Sequence, residues 1–171
     1  ALYAGRLEPK KNLPFLIPVL ARAPAWRLVL LGYDEKGQAD LLRGEAHRLG
    51  CASRLLILPG TTGEELRSAY SAADLFVLPS HHENFANAAV EAAACGCPAL
   101  LSDQVGCAEE LQKAGWARVV AHQSQDWLKS LESHPARPQK TPEKETYGPD
   151  ASARAMAEFY LQIAGRRGQA S

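Results

Sequence analysis

What this chain does not contain narrows its function first. Its 19 basic residues balance 19 acidic ones, so no net field draws it to nucleic acid, an anionic membrane or an acidic protein; any anion must be held locally. No apolar run reaches the ~20 residues that a membrane-spanning helix needs, and no charged-then-apolar leader opens the chain, so cytosol is the expected compartment. No G-x-G-x-x-G joins the first apolar strand to its helix, no G-x-x-x-x-G-K-[ST] occurs, and no serine sits in a G-x-S-x-G elbow. Ordinary nicotinamide dehydrogenases, P-loop enzymes and serine hydrolases are thereby disfavoured. Cysteine is sparse: Cys51, Cys95, Cys97 and Cys107 sit in or beside predicted regular elements and read as reduced, small core residues. Cys95 and Cys97 with His81 and His82 lack the paired spacing of structural zinc ligands, so no metal and no other cofactor is expected.

What is present is an ordinary soluble-domain composition, 171 residues of which 46% are hydrophobic, in a strict strand–helix alternation. Strands are predicted at Ala1–Gly5, Trp26–Leu31, Arg54–Leu58, Leu75–Leu78, Cys97–Leu101 and Ala117–Ala121. The helices between them run over Leu13–Arg22 with Asn12 as cap, Gln38–Leu49, from a Thr62–Glu65 capping box to Ala72, from near Asn84 to Ala94, over Gly106–Ala114, and from a Ser124 cap to Ser133. Because crossovers between parallel strands are right-handed, this order predicts a doubly wound, Rossmann-like α/β sheet of about six strands with helices on both faces. Residues 135–150, rich in proline and charge, read as a linker or surface loop. Residues 151–163 read as an amphipathic helix carrying Phe159 and Tyr160, ahead of a frayed tail to residue 171. The chain opens in mid-strand without methionine, and the expectation is a piece of a longer protein whose missing part precedes Ala1.

Ligands of open α/β sheets lie beyond the carboxyl ends of the strands. The polar residues at those ends are Arg6 and Lys11 after the first strand, Glu83 after the fourth, and Glu91 within the following helix. Arg6 and Lys11 can offset the negative charge of a diphosphate, and the amino end of the helix after Phe85 can seat a phosphate, with Ala86 and Ala88 allowing close approach. Glu91 or Glu83 can accept hydrogen bonds from ribose or sugar hydroxyls. Taken singly, Arg6, Lys10 and Lys11 read more readily as a solvated loop than as phosphate ligands, Glu83 as an exposed turn, Phe85 as core, and His81 and His82 as surface. Glu91 stands apart because a carboxylate on a largely buried helix needs partners.

Together these residues resemble the retaining glycosyltransferases of the GT-B fold, family 4 type. Glu83-Asn-Phe-Ala-Asn-Ala-Ala-Val-Glu91 looks like that family's E-x7-E motif, Gly5-Arg6 with Lys11 like its G-R-L-x-x-x-K loop, and Ala94-Cys-Gly-Cys-Pro98 like its A-x-G-x-P turn. The resemblance implies that Arg6 and Lys11 bind the donor diphosphate and Glu83 contacts the donor sugar. It further implies that Glu91 holds the ribose and that amides across Phe85, Ala86, Asn87 and Ala88 hold phosphate. The Leu58–Thr61 segment, with Pro59, Gly60 and Thr61, is similar to the one beside the base. Asn84 and Ala86 stand where many members have glycine.

The implied activity is transfer of a sugar from a UDP-, GDP- or ADP-sugar to a glycan, lipid or other acceptor, with retention of anomeric configuration and no metal. The acceptor domain is implied to precede this chain, which alone should not turn over. The full-length protein is implied to work in the cytoplasm, with peripheral association at the inner membrane face. A nucleotide-sugar epimerase using His81 or His82, and a non-catalytic nucleotide-sugar-binding domain, are the alternatives.

Overall fold

A computed structural model describes residues 1–134. Six strands, β1 (Leu2–Ala4), β2 (Leu28–Leu31), β3 (Leu55–Leu58), β4 (Phe76–Leu78), β5 (Ala99–Ser102) and β6 (Ala117–Val120), form one sheet in the order β3-β2-β1-β4-β5-β6. Every pairing is parallel. The helices between them are α1 (Leu16–Arg22), α2 (Gln38–Arg48), α3 (Gly63–Ala72), α4 (Asn87–Ala94) and α5 (Ala108–Lys113), with α6 (Ser124–Glu132) following β6. The predicted doubly wound α/β sheet is therefore observed. The chain winds outward from β1 through β2 to β3, then returns to place β4 on the other side of β1. The β1/β4 seam is thus the point where strand order reverses, and a crevice opens there at the carboxyl edge.

The central strands β1, β4 and β5 are buried throughout, as parallel strands covered on both faces must be. The edge strand β3 alternates between half-buried and exposed leucine and isoleucine. Tyr3, Phe76, Leu30, Leu100, Leu101, Leu111 and Trp127 fill the core.

Several predicted helix starts differ from those observed. Leu13–Phe15 is a 3-10 turn and α1 begins at Leu16; Asn12, instead of capping through its side chain, takes a left-handed conformation at φ 52° between two such turns. Pro18 is tolerated because it falls in the first turn of α1, where its missing N–H has no intrahelical partner to lose. The Thr62–Glu65 capping box does not form; Glu65 pairs with the hydroxyl of Thr61 instead. Helix α4 starts at Asn87, three residues later than predicted, because the backbone from Glu83 is drawn off toward the loop after β5. Ser124 is the first residue of α6, and Gln123 precedes it as the cap residue.

Two further devices organise the loops. Asp34 accepts the Gln38 and Ala39 amides, each at 2.8 Å, at the start of α2; those bonds hold its carboxyl below the usual range. Arg54 donates to the carbonyls of Leu20 and Ala23 at 2.7 Å and Trp26 at 3.1 Å, closing the carboxyl end of α1. The predicted linker and final helix lie outside the described residues.

Candidate functional site

The loop leaving β1 is fixed from beneath and from the side. Tyr3 is fully buried, yet its hydroxyl reaches past the strand end and donates to the Arg6 carbonyl at 2.7 Å; burial pushes the phenol well above its ordinary value, so it stays a donor. Gly5 has φ +145°, a conformation few other residues adopt, and its amide donates to the Leu31 carbonyl at 3.0 Å. Leu7 donates to the Tyr33 carbonyl at 2.9 Å. A Cβ placed on Gly32 would stand 1.8 Å from the Gly5 carbonyl oxygen, so the β1 and β2 exits approach closely only because residue 32 has no side chain. On this platform Arg6 is exposed and pairs with Glu8 at 3.1 Å; Lys10 reaches the same carboxylate at 3.5 Å. Lys11 turns inward instead, and its ammonium meets the Glu83 carboxylate, 72 positions away.

Glu83 lies in the loop after β4, which several neighbours hold. His81 donates its amide to the Lys10 carbonyl at 3.0 Å, joining this loop to the previous one. His122 Nε2 donates to the Pro79 carbonyl at 2.7 Å, and Ser102 Oγ to the Ser80 carbonyl at 2.6 Å. The Gly106 amide donates to the Glu83 carbonyl at 2.7 Å, and a Cβ on Gly106 would meet the Asn84 carbonyl oxygen at 2.4 Å. Glu83 is consequently a half-buried, paired residue and not the exposed turn residue that it resembles in isolation. His82, Glu83 and Asn84 line one side of an open polar cleft of about 560 Å³, with Asp103, Gln104, Val105 and Gly106 on the other.

Glu91 sits on α4, half-buried among alanines. Its partner is Tyr70 of α3, a buried tyrosine whose hydroxyl donates to Glu91 Oε2 at 3.1 Å. Burial first, and the facing Glu91 carboxylate second, drive the Tyr70 phenol far above its ordinary value, so it remains protonated. At the amino end of α4 the Asn87 amide is bonded to the Phe85 carbonyl and the Ala86 amide faces the buried Cys107 thiol, which burial pushes up. Phe85 packs against the core, and Ala88 is half-buried beside it. After β3, Pro59 is exposed and Gly60 lies against the ring of Tyr33.

The structure thus brings Lys11 and Glu83 together across the β1/β4 seam, leaves Arg6 exposed beside Glu8 on the same β1 exit loop and braces Glu91 from α3, while Pro59–Thr61 follows β3 beside the β2 exit. Tyr3, Tyr70, Glu8 and His122 were not singled out by spacing. Tyr3 lies in an apolar run and Tyr70 among alanines and serines; the available signal is that a buried tyrosine hydroxyl needs a polar partner. Among the described residues, no group of three or more His, Cys, Asp or Glu side chains is arranged to hold a metal ion.

Residues 1–134 match the family described as "Glycosyl transferases group 1". The chain belongs to this family. As a group 1 glycosyl transferase domain it is 34% identical over 148 residues to a D-inositol 3-phosphate glycosyltransferase of Rhodococcus opacus, covering 79% of this chain and 33% of that protein. It is 32% identical over 134 residues to the enzyme of the same name from Mycobacteroides abscessus, covering 75% and 30%. The chain therefore spans about a third of the length of these curated relatives. Its fold is shared with Anabaena Alr3699/HepE, solved in complex with UDP and glucose, at a TM-score of 0.70 and 22% identity over 98% of this chain and 48% of that one. WaaG, a glycosyltransferase involved in lipopolysaccharide biosynthesis, matches at a TM-score of 0.68 and 21% identity over 88% and 45%.

Proposed function

We propose that this chain is the donor-binding, carboxyl-terminal half of a metal-independent, retaining glycosyltransferase that takes a sugar from a nucleoside diphosphate. The observation that carries this reading is the pairing of Lys11 with Glu83 across the strand-order reversal of a group 1 domain, with Arg6 on the same β1 exit loop as Lys11 and Glu91 bonded to Tyr70.

In the proposed mechanism the bond between the anomeric carbon and the diphosphate oxygen breaks, the electron pair leaves with the diphosphate, and an acceptor hydroxyl oxygen bonds to that carbon as its proton passes to the departing diphosphate. The Arg6 guanidinium and Lys11 ammonium meet the charge that develops there, a role that needs fixed cations in a partly dehydrated crevice. Lys11 is oriented by Glu83, with which a bound diphosphate competes for the ammonium. Glu83 borders the polar cleft and is placed to accept from donor-sugar hydroxyls; Glu91 accepts from the ribose hydroxyls. The amino end of α4, around Phe85 to Ala88, offers its dipole to phosphate. The acceptor is assigned to a preceding domain, and the complete protein to the cytoplasm, at the inner membrane face where the acceptor is a lipid. The structures of Anabaena Alr3699/HepE in complex with UDP and in complex with UDP-glucose support UDP as the first probe.

Calorimetric titration of the folded 171-residue chain with UDP, GDP and ADP is the test. Binding of at least one is expected, and failure of all three to bind a folded chain sinks the proposal.

A further inference from the structure

The crevice has two unlike flanks. On the β4/β5 side lies the polar cleft of His82, Glu83, Asn84, Asp103 and Gln104, suited to hydroxyl groups. On the β2/β3 side the carboxyl edge presents two exposed apolar side chains, Tyr33 at 54% and Leu58 at 39%, ahead of the charged turn that begins at Asp34. A nucleoside diphosphate whose phosphates face Arg6 and Lys11 has a flat aromatic base to place, and burying a base against the polar cleft leaves those polar groups without partners. The Tyr33 ring and Leu58 are the complementary surface.

Tyr33 is built to serve as that surface. Its backbone is pinned at the β2 exit, since its carbonyl accepts from Leu7 at 2.9 Å and the preceding Gly32 donates to the Leu58 carbonyl at 3.1 Å. Its ring is pressed against Gly60, where an added Cβ would stand 2.4 Å from Cε2 and 2.7 Å from Cδ2 and Cζ. An aromatic ring backed by glycine backbone, with more than half of its surface open, is neither core nor a freely rotating surface residue. It also stands between the diphosphate loop and the Pro59–Thr61 segment. We infer that Tyr33 is the stacking platform for the donor nucleobase, with Gly60 as the backing that sets the plane of the ring. The inference rests on the donor-site reading above and adds to it a specificity-tolerant base contact, because every base offers a π-face.

The test uses the 171-residue chain and its Tyr33→Ala, Tyr33→Phe and Gly60→Ala variants, titrated with UDP and ADP, with base-proton shifts of the bound nucleotide read by NMR. Tyr33→Ala is expected to weaken both nucleotides about tenfold, within the range found for loss of one aromatic–base stack, and Tyr33→Phe to stay within about twofold of the parent. Gly60→Ala is expected to weaken binding in the parent and to have no further effect in Tyr33→Ala. Base protons of UDP are expected to move upfield on the parent chain and on Tyr33→Phe. Nucleotide binding by the parent with no upfield shift, or a folded Tyr33→Ala that binds both nucleotides as the parent does, overturns the stacking role and leaves the donor site standing. A parent chain that binds neither nucleotide overturns the donor-site reading and this inference with it.

Discussion

The Lys11 ammonium and the Glu83 carboxylate close on each other across the β1/β4 seam, each with less than a fifth of its side chain exposed. A cation held this way is oriented but not free, and a diphosphate must compete with Glu83 for it. Lys11→Ala is therefore expected to weaken binding of a nucleoside diphosphate by about tenfold or more, the worth of one charge-assisted hydrogen bond. Glu83→Gln, which releases Lys11, is expected to leave that affinity unchanged or to raise it, while lowering affinity for the intact sugar nucleotide. Calorimetry with UDP and UDP-glucose checks both; loss of UDP binding in Glu83→Gln argues against the competition.

The Tyr70 hydroxyl and Glu91 Oε2 form the second pair. Tyr70→Phe keeps the ring and its edge contact with Phe76 but removes the donor that orients the carboxylate. A stability loss of about 1 kcal/mol is expected by chemical denaturation, together with poorer discrimination of ribonucleotide from deoxyribonucleotide. Glu91→Ala is expected to abolish that discrimination outright. Unchanged preference in Glu91→Ala removes it from the ribose site.

Gly32 and Gly106 are required by close backbone approach. A methyl group on either meets a carbonyl oxygen, that of Gly5 at 1.8 Å or of Asn84 at 2.4 Å, and neither oxygen belongs to a side chain that can swing away. Gly32→Ala is expected to cost about 3 kcal/mol or to prevent folding, and Gly106→Ala about 1–3 kcal/mol. Denaturation midpoints measure both. Gly44→Ala, at an exposed helical position with nothing within 4 Å, is the control and is expected to stabilise.

His134 sets one pH dependence. Burial lowers its pKa, partly offset by the bond from Nε2 to the Asp74 carbonyl at 3.1 Å and by the Asp74 charge. With the folded value below the unfolded one, the unfolded chain binds more protons between the two, so this residue's contribution falls as pH drops through about 6.5 and levels off once pH is below the folded value. Stability measured from pH 7.5 to 5.5 is expected to decline less steeply in His134→Gln. An equal slope in both chains removes His134 as the source.

The fold was legible because strand and helix alternate and each apolar run is the length of one buried strand. All six strands appear within two residues of their predicted ends, the two-residue offsets being the starts predicted at Trp26 and Cys97. Helix starts were less legible. Asn12, Thr62 and Ser124 have the side chains of caps, yet Asn12 is diverted by a left-handed turn, Thr62 loses Glu65 to Thr61, and Ser124 lies one residue inside its helix. Capping is decided by backbone angles that the loop on the far side imposes.

From its sequence alone the chain determined its layer architecture, its membership of a sugar-transferring family and the short list of polar residues at the strand ends. These are properties of local pattern: apolar period, small-residue runs and fixed spacing within one loop or one helix. Tertiary structure alone decided which of those residues meet. Lys11 finds Glu83, 72 positions away, because β4 returns to the far side of β1; Glu91 finds Tyr70 because α3 and α4 share a face; and Tyr33 finds Gly60 because β2 and β3 end in register. Each meeting depends on the order of strands in the sheet, and that order is set by how the whole core packs, not by any one segment.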